Sequence, residues 1–264
     1  MMGPDSPGVN KGAMTSEDYI PAALRRLWRM PESSRLGRPA ALDVDLIVAA
    51  AVEIADRDGL GGVTIPKVAK SLGFTGMSLY RHVGSKDELL TLMADAASGT
   101  PPDLDTDDWR EGLRDWAFAL RAVSWRRPWL TRVPASGPPS GPNQIAWMEA
   151  GLAILARTRL DWAHKVGILT LINGYVVQWV RQYSELAEGR AAEGRGQADA
   201  ERDYGRALVR LVDPGRFPET ARLFASALFE TLPSDTPDAT IADADFSLGL
   251  ELILDGVAVR VERS

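Results

Sequence analysis

Cysteine is absent from the 264 residues. Its absence rules out disulfides, thiolate zinc sites, iron–sulfur clusters and cysteine nucleophiles together. Histidine is scarce, with only His82 and His164. A catalytic triad or a multi-histidine metal site has almost nothing to be built from, so no catalytic residue, metal ligand or cofactor is expected. No apolar run approaches the ~20 residues that a membrane span needs. Residues 1–14 are polar and contain glycine and proline, unlike the apolar stretch of a secretory signal. A cytoplasmic protein with no membrane partner is expected. Strand-like alternation of useful length is also missing, which leaves an all-α chain.

Hydrophobic residues make up 45% and charged residues 25%, the balance of a soluble globular protein. A net charge of −6 argues against a nucleic-acid partner only if the charge is spread evenly. It is not. Between Tyr19 and Leu42 stand Arg25, Arg26, Arg29, Arg35 and Arg38 against one acid, Glu32. An acidic remainder keeps such a protein soluble and off random polyanions.

Residues 1–18 show no periodicity and read as unstructured. Residues 19–30 predict a short basic amphipathic helix ended by Pro31. The stretch to residue 42 reads as a flexible basic arm. From Asp43 the pattern turns helical, with Leu46, Ile47, Ala50, Ala51 and Ile54 on one face, Asp43 as cap and Gly59 as stop. Thr64 caps a second helix over 65–72, with Pro66 in its first turn. Gly73 ends it, and a short helix over 76–83 follows. A fourth helix, 86–97, begins after Ser85 with Asp87 and Glu88 in its first turn, which suits the helix dipole. The run Gly99-Thr100-Pro101-Pro102 marks a boundary. Longer helices are predicted over 107–125, 143–157, 161–187, 198–211, 217–231 and 244–262. The domains are therefore an extension with a basic arm (1–42), a small helical domain (43–98) and a larger one (99–264).

Two short helices joined by a tight glycine-containing turn form a DNA-reading unit, although three short helices also make ordinary structural bundles. The residues narrow the choice. VAKSLG at 68–73, SLYRHV at 78–83 and SKDEL at 85–89 closely resemble the N-terminal domain of the TetR family of repressors. WREGLR at 109–114 and FSLGLELILDG at 246–256 resemble that family's tetracycline-repressor subgroup. The resemblance implies a helix-turn-helix domain followed by a larger helical domain for effector binding and dimerisation. It implies a phosphate contact at Thr64 and major-groove contacts at Thr75, Gly76, Met77 and Ser78. Tyr80 and His82 match backbone-contacting positions, and Lys86 matches a phosphate-contacting lysine. Arg81 stands where a larger aromatic can occur, and its guanidinium suits guanine O6 and N7. Pro66 replaces a residue that is often basic in the subgroup, so the second helix should make fewer groove contacts. Arg35 and Arg38, just before the first helix of the domain, suit a backbone or minor-groove arm. Lys67 and Lys70 read as solvated charges.

The larger domain holds seven of the eight tryptophans, enough to line an effector cavity as well as a core. The resemblance places a small-molecule effector among three helices, with Trp116 and Leu120 on one, Trp147, Met148 and Gly151 on the next, and Thr170, Asn173 and Val177 on the third. Tetracycline itself does not fit, because the histidine that helps bind its magnesium is missing at Leu130–Pro134. A hydrophobic or aromatic, metal-free effector is expected.

Helix 161–187 carries Val166, Leu169, Ile172, Tyr175, Val176 and Trp179. Helix 244–262 carries Phe246, Leu248, Leu250, Leu252, Ile253, Leu254 and Val257, and is apolar nearly all round. Burial on all sides follows. An intersubunit four-helix bundle explains it, a monomeric core being the alternative, and Gly249 and Gly256 leave room for close helix approach. The expected partners are thus double-stranded operator DNA, a small effector and a second copy of the chain. An activator, a ligand-independent regulator and a helical protein that no longer binds DNA remain alternatives.

Overall fold

The computed structural model describes residues 20–31, 42–104, 107–134, 137–230 and 237–264. Arg35 and Arg38 lie outside the described residues, as do residues 1–19. All the described regular structure is helical. The chain divides into two units, Met1–Ala96 with Ala135–Ile145, and Ala97–Pro134 with Ala146–Ser264. Residues 137–145, which the sequence places in the larger domain, group with the smaller unit.

The first unit begins with α1 (Ala22–Leu27), a shorter helix than the predicted 19–30. It continues with α2 (Val44–Asp58), α3 (Ile65–Leu72), α4 (Gly76–Val83) and most of α5 (Lys86–Ser98). Side-chain oxygens set the helix starts. Asp43 accepts from Leu46 N at 2.7 Å, Thr64 from Lys67 N at 3.3 Å and Ser85 from Glu88 N at 3.1 Å. Each satisfies a donor that the first turn leaves unpaired. Gly73, at φ 76°, supplies the left-handed residue that ends α3. Helices α2, α3 and α4 pack on one another, and Ile47, Val48, Ala51 and Ile54 of α2, Val68 of α3, Leu79 and Val83 of α4, and Leu89 and Met93 of α5 are all buried. Leu46 turns outward instead of joining this core.

The second unit holds α6 (Trp109–Arg126), the rest of α7 (Pro142–Ile154), α8 (Trp162–Ala192), α9 (Gln197–Leu211), α10 (Pro218–Phe224) and α11 (Asp238–Arg263). Asp108 caps α6 and Asp161 caps α8. His164 shares its ring Nδ1 with the Asp161 carboxylate at 2.8 Å, so this lone histidine serves a helix start. Helix α8 runs past the predicted end at 187, because Gly189 is tolerated within it and the chain turns only at Gly194, φ 67°. The single helix predicted over 217–231 is instead broken. Helix α10 stops at Phe224, and Ser226 opens a separate 3-10 turn at Ala227–Phe229.

Helices α6, α8 and α11 pack together. Their shared core contains Leu113, Ala117, Ile172, Val176, Phe246, Leu250 and Leu254. Leu169, Ile172, Val176, Phe246, Leu250, Leu254 and Val257 thus serve the core of one chain, where the sequence reading gave them to a dimer seam. Val166 of α8 and Leu248 and Leu252 of α11 remain exposed, the two leucines at 68% and 67%. The space beside Gly249 is taken by the ring of Tyr175, whose hydroxyl donates to Phe246 O at 2.8 Å. Only Gly256 of the pair faces open space.

Candidate functional site

Helix α4 is eight residues long and divides sharply by exposure. Leu79 and Val83, four apart, are fully buried. Met77 is 71% exposed, Tyr80 and Arg81 are exposed, and Ser78 and His82 are half-buried. Thr75 caps the helix, accepting from Ser78 N at 3.4 Å and sharing a hydrogen bond with Ser78 Oγ at 3.0 Å. A Cβ on Gly76 would touch Ile65 Cγ2 at 3.7 Å, so this position is snug but not forbidden to a side chain. Thr64 and Lys86 are exposed at the first ends of α3 and α5. The structure therefore sets residues 75–78 and 80–82 along the outward side of one short helix, with two further helix N-termini in the same unit. Such ends carry free N–H groups and favour anions. Among the described residues neither Arg81 nor Lys86 forms an ion pair.

Other cations of this unit are already committed. Lys67 donates to Asp58 at 2.6 Å, tying the end of α2 to the start of α3. The Arg57 guanidinium and then the Lys67 ammonium hold the Asp58 carboxyl down at about 2. The pair contributes fully above the ordinary carboxylate range and fades only as the pH falls toward that value. Arg26 pairs with Glu88, and Arg29 with Asp45 at 2.7 Å. These arginines, which the sequence reading counted in a basic footprint, are neutralised by neighbouring acids.

Helices α5 and α7 are joined at one point in each unit. In the first, Asp95 of α5 is 4% exposed. Its carboxylate accepts from Asn143 N and Gln144 N at 3.0 Å each, and from Asn143 Nδ2 at 3.2 Å. It acts as the cap of α7, supplied from a distant helix. In the second unit, Trp147 of α7 donates its indole N–H to Gly99 O at 2.9 Å, just beyond the end of α5. Trp147 O in turn accepts from Trp116 Nε1 at 3.0 Å.

The eight residues expected around an effector separate into two groups. Trp116 and Trp147 are buried together, and both indole N–H groups are used within the chain. Gly151 lies against Trp116 and Leu169, where an added Cβ would press on the Leu169 methyls. Leu120 and Met148 are partly buried against the same core. Thr170 and Asn173 are exposed on α8, and the Thr170 hydroxyl donates to Val166 O at 2.8 Å. They do not join the tryptophan group. Val177 is half-buried.

Two family descriptions match the chain. Residues 47–93 match bacterial regulatory proteins of the tetR family, and residues 101–261 match the tetracyclin repressor-like C-terminal domain. The chain belongs to the TetR family. It is a DNA-binding transcriptional regulator with a helix-turn-helix domain and a larger helical domain. The HTH-type transcriptional repressor DrrR1 of Streptomyces coeruleorubidus is 36% identical over 246 residues, 92% of this chain and 87% of that one. The tetracycline repressor protein class A from transposon 1721 of Escherichia coli is 27% identical over 224 residues, 83% of this chain and 92% of that one. The crystal structure of the Streptomyces coelicolor TetR family protein ActR in complex with actinorhodin superposes with a TM-score of 0.67. That pair is 26% identical, and the match covers 84% of this chain and 99% of ActR. No described helix is long and apolar enough to cross a membrane.

This TetR-family chain also carries an aromatic column that sequence reasoning missed. The Arg121 guanidinium lies over Phe246 at 4.7 Å, Phe118 at 5.0 Å and Trp179 at 5.3 Å, and it pairs with Asp243. Trp179 stacks on Tyr183 at 4.8 Å and on Trp125 at 5.9 Å. The signal was present in the spacing: Tyr175, Trp179 and Tyr183 fall four apart on α8, and Phe118, Arg121 and Trp125 fall three or four apart on α6.

Proposed function

We propose that the protein is a ligand-responsive repressor that holds a palindromic operator as a homodimer and releases it when a small aromatic molecule enters the C-terminal unit. The observation that carries the DNA reading is the division of α4. Two buried residues fix the helix, and the opposite side presents a half-exposed tyrosine, an unpaired arginine and a methionine left 71% in water. None of the three is used by the core, so each is free to meet a ligand. In a two-fold dimer two such helices would meet successive turns of a major groove, ~34–36 Å apart. Thr64, Tyr80, His82 and Lys86 would hold phosphates, and Thr75, Gly76, Met77, Ser78 and Arg81 would face the major groove. Arg35 and Arg38 would follow the backbone or the minor groove as an arm.

The effector reading rests on Trp116 and Trp147, with Gly151 against Trp116 and Leu120 and Met148 packed on the same core. ActR, a structural relative, is found in complex with the small molecule actinorhodin. A planar ligand entering between the two indoles would break the Trp116–Trp147 and Trp147–Gly99 bonds. Because α5 starts at Lys86 and is capped onto α7 through Asp95, that break reaches the DNA side through one helix. The coupling expected of such a switch is ~1–3 kcal/mol, and DNA must weaken ligand binding by the same factor.

Two variants test the DNA roles. Arg81→Ala is expected to relax preference at one base pair by ~1–3 kcal/mol, leaving affinity for random DNA unchanged. Lys86→Ala should weaken specific and random DNA alike and flatten the salt dependence by about one unit. Binding titrations over a salt series measure both. Equal losses from both variants on both DNAs would remove Arg81 from the base-reading role.

A further inference from the structure

The short helix α1 is carried on the N-terminal extension, yet it is built into the DNA-binding unit. Leu27 is 4% exposed. The Trp28 indole donates to Ser140 O at 2.8 Å. Arg29, at φ 52°, turns the chain back and donates to Asp45 in the first turn of α2. Helix α1 packs against α4, and between it and α5 lies a half-open cavity of about 210 Å³ lined by Leu24, Leu27, Glu88, Thr91 and Leu92.

The tie to α5 is the most pointed of these contacts. Arg26 reaches Glu88 with two donors of its fork, Nε at 3.0 Å and Nη2 closer still. The pair is 24% and 30% exposed, so water screens it only in part. It lies directly over Gly84, the residue between α4 and α5. A Cβ there would fall 2.5 Å from Glu88 Oε1 and 2.7 Å from Arg26 Nη2. Gly84 is held at φ 73°, a conformation that glycine tolerates best.

We infer that Arg26 is a positioning residue for DNA binding: it clamps Glu88 over Gly84 and fixes the corner between α4 and α5. Two consequences follow from its loss. The corner loosens, so the outward residues of α4 lose their angle to the Lys86 end of α5. The Glu88 carboxylate is also left unpaired two residues from Lys86, where a DNA phosphate would approach. Both act through Glu88, not through a contact of Arg26 with DNA. The inference rests on the DNA reading above.

The test uses the full chain and a duplex selected by the wild-type protein from random-sequence DNA. Arg26→Ala should weaken binding to that duplex roughly tenfold, the scale of one charge-assisted hydrogen bond. The same change in a Glu88→Gln background should cost little, because the carboxylate it restrains is gone. The swapped pair, Arg26→Glu with Glu88→Arg, should recover affinity. The salt slope should match wild type throughout. A loss of the same size in both backgrounds, with a salt slope lower by about one, would make Arg26 a phosphate contact and overturn the clamp. So would an Arg26→Ala protein that binds like wild type. A wild-type protein that selects no duplex would overturn the DNA reading itself, and the clamp with it.

Discussion

Leu252→Asp should turn the protein into a monomer and lower operator affinity by on the order of a hundredfold or more, since burying an unpaired carboxylate costs several kcal/mol. Leu252 and Leu248 lie one turn apart on α11 and are about two-thirds exposed, while Phe246, Leu250 and Leu254 fill the chain's own core. On α8, Val166 and Leu171 are exposed in the same way at 47% and 56%. Each such leucine brought out of water stabilises an interface by about 1.5–3 kcal/mol. The variant should keep its helices, because the substituted side chain touches nothing in its own core. Sedimentation measures the assembly, and a titration with operator DNA measures the loss. A variant that sediments like wild type and binds DNA unchanged would show that this face is not the seam.

The second large effect is expected at Asp95. Asp95→Ala removes a carboxylate that accepts three N–H groups at the start of α7. Two of these are backbone donors in the first turn of α7. Charge-assisted bonds of this kind stabilise by about 1.5–3 kcal/mol each, and a lost cap costs roughly 1, so a destabilisation of ~2–4 kcal/mol is expected. For a chain of this size that is on the order of a 5–15 °C drop in the unfolding midpoint. Amide exchange at Asn143 and Gln144 should rise sharply, while exchange in the α8 core stays slow. Gly141→Ala should reproduce part of the effect, because its Cβ would collide with the Asp95 carboxyl. Unchanged exchange at those two amides in Asp95→Ala would contradict the capping role.

Helix positions were largely legible in the sequence because local chemistry sets them. Asp43, Thr64, Ser85, Asp108 and Asp161 cap the helices they precede, and Gly59, Gly73 and Gly84 close the ones they follow. The outward side of α4 was legible for the same reason, since two apolar residues four apart define the inward side. Contacts between residues far apart in sequence were not. Asp95 and Asn143 are 48 residues apart, and Arg26 and Glu88 are 62. Nothing in the run around either residue marks its partner. Helix α8 misled for a different reason. Its 31 residues are apolar on more than one side, so periodicity does not select a face. The chosen stripe of Thr170, Asn173 and Val177 is one residue, or about 100° of helix, from the buried stripe of Leu169, Ile172 and Val176. Likewise, α11 is apolar all round because it serves its own core on one side and exposes leucines on the other.

This TetR-family chain is expected to read a defined two-fold DNA site. Selection of bound duplexes from a random-sequence pool, followed by sequencing, tests it most directly. One palindromic site should be enriched, bound by a dimer and preferred over random DNA by at least ~10³-fold at physiological salt. A pool that stays random after repeated rounds, with the protein binding every duplex equally, would contradict it.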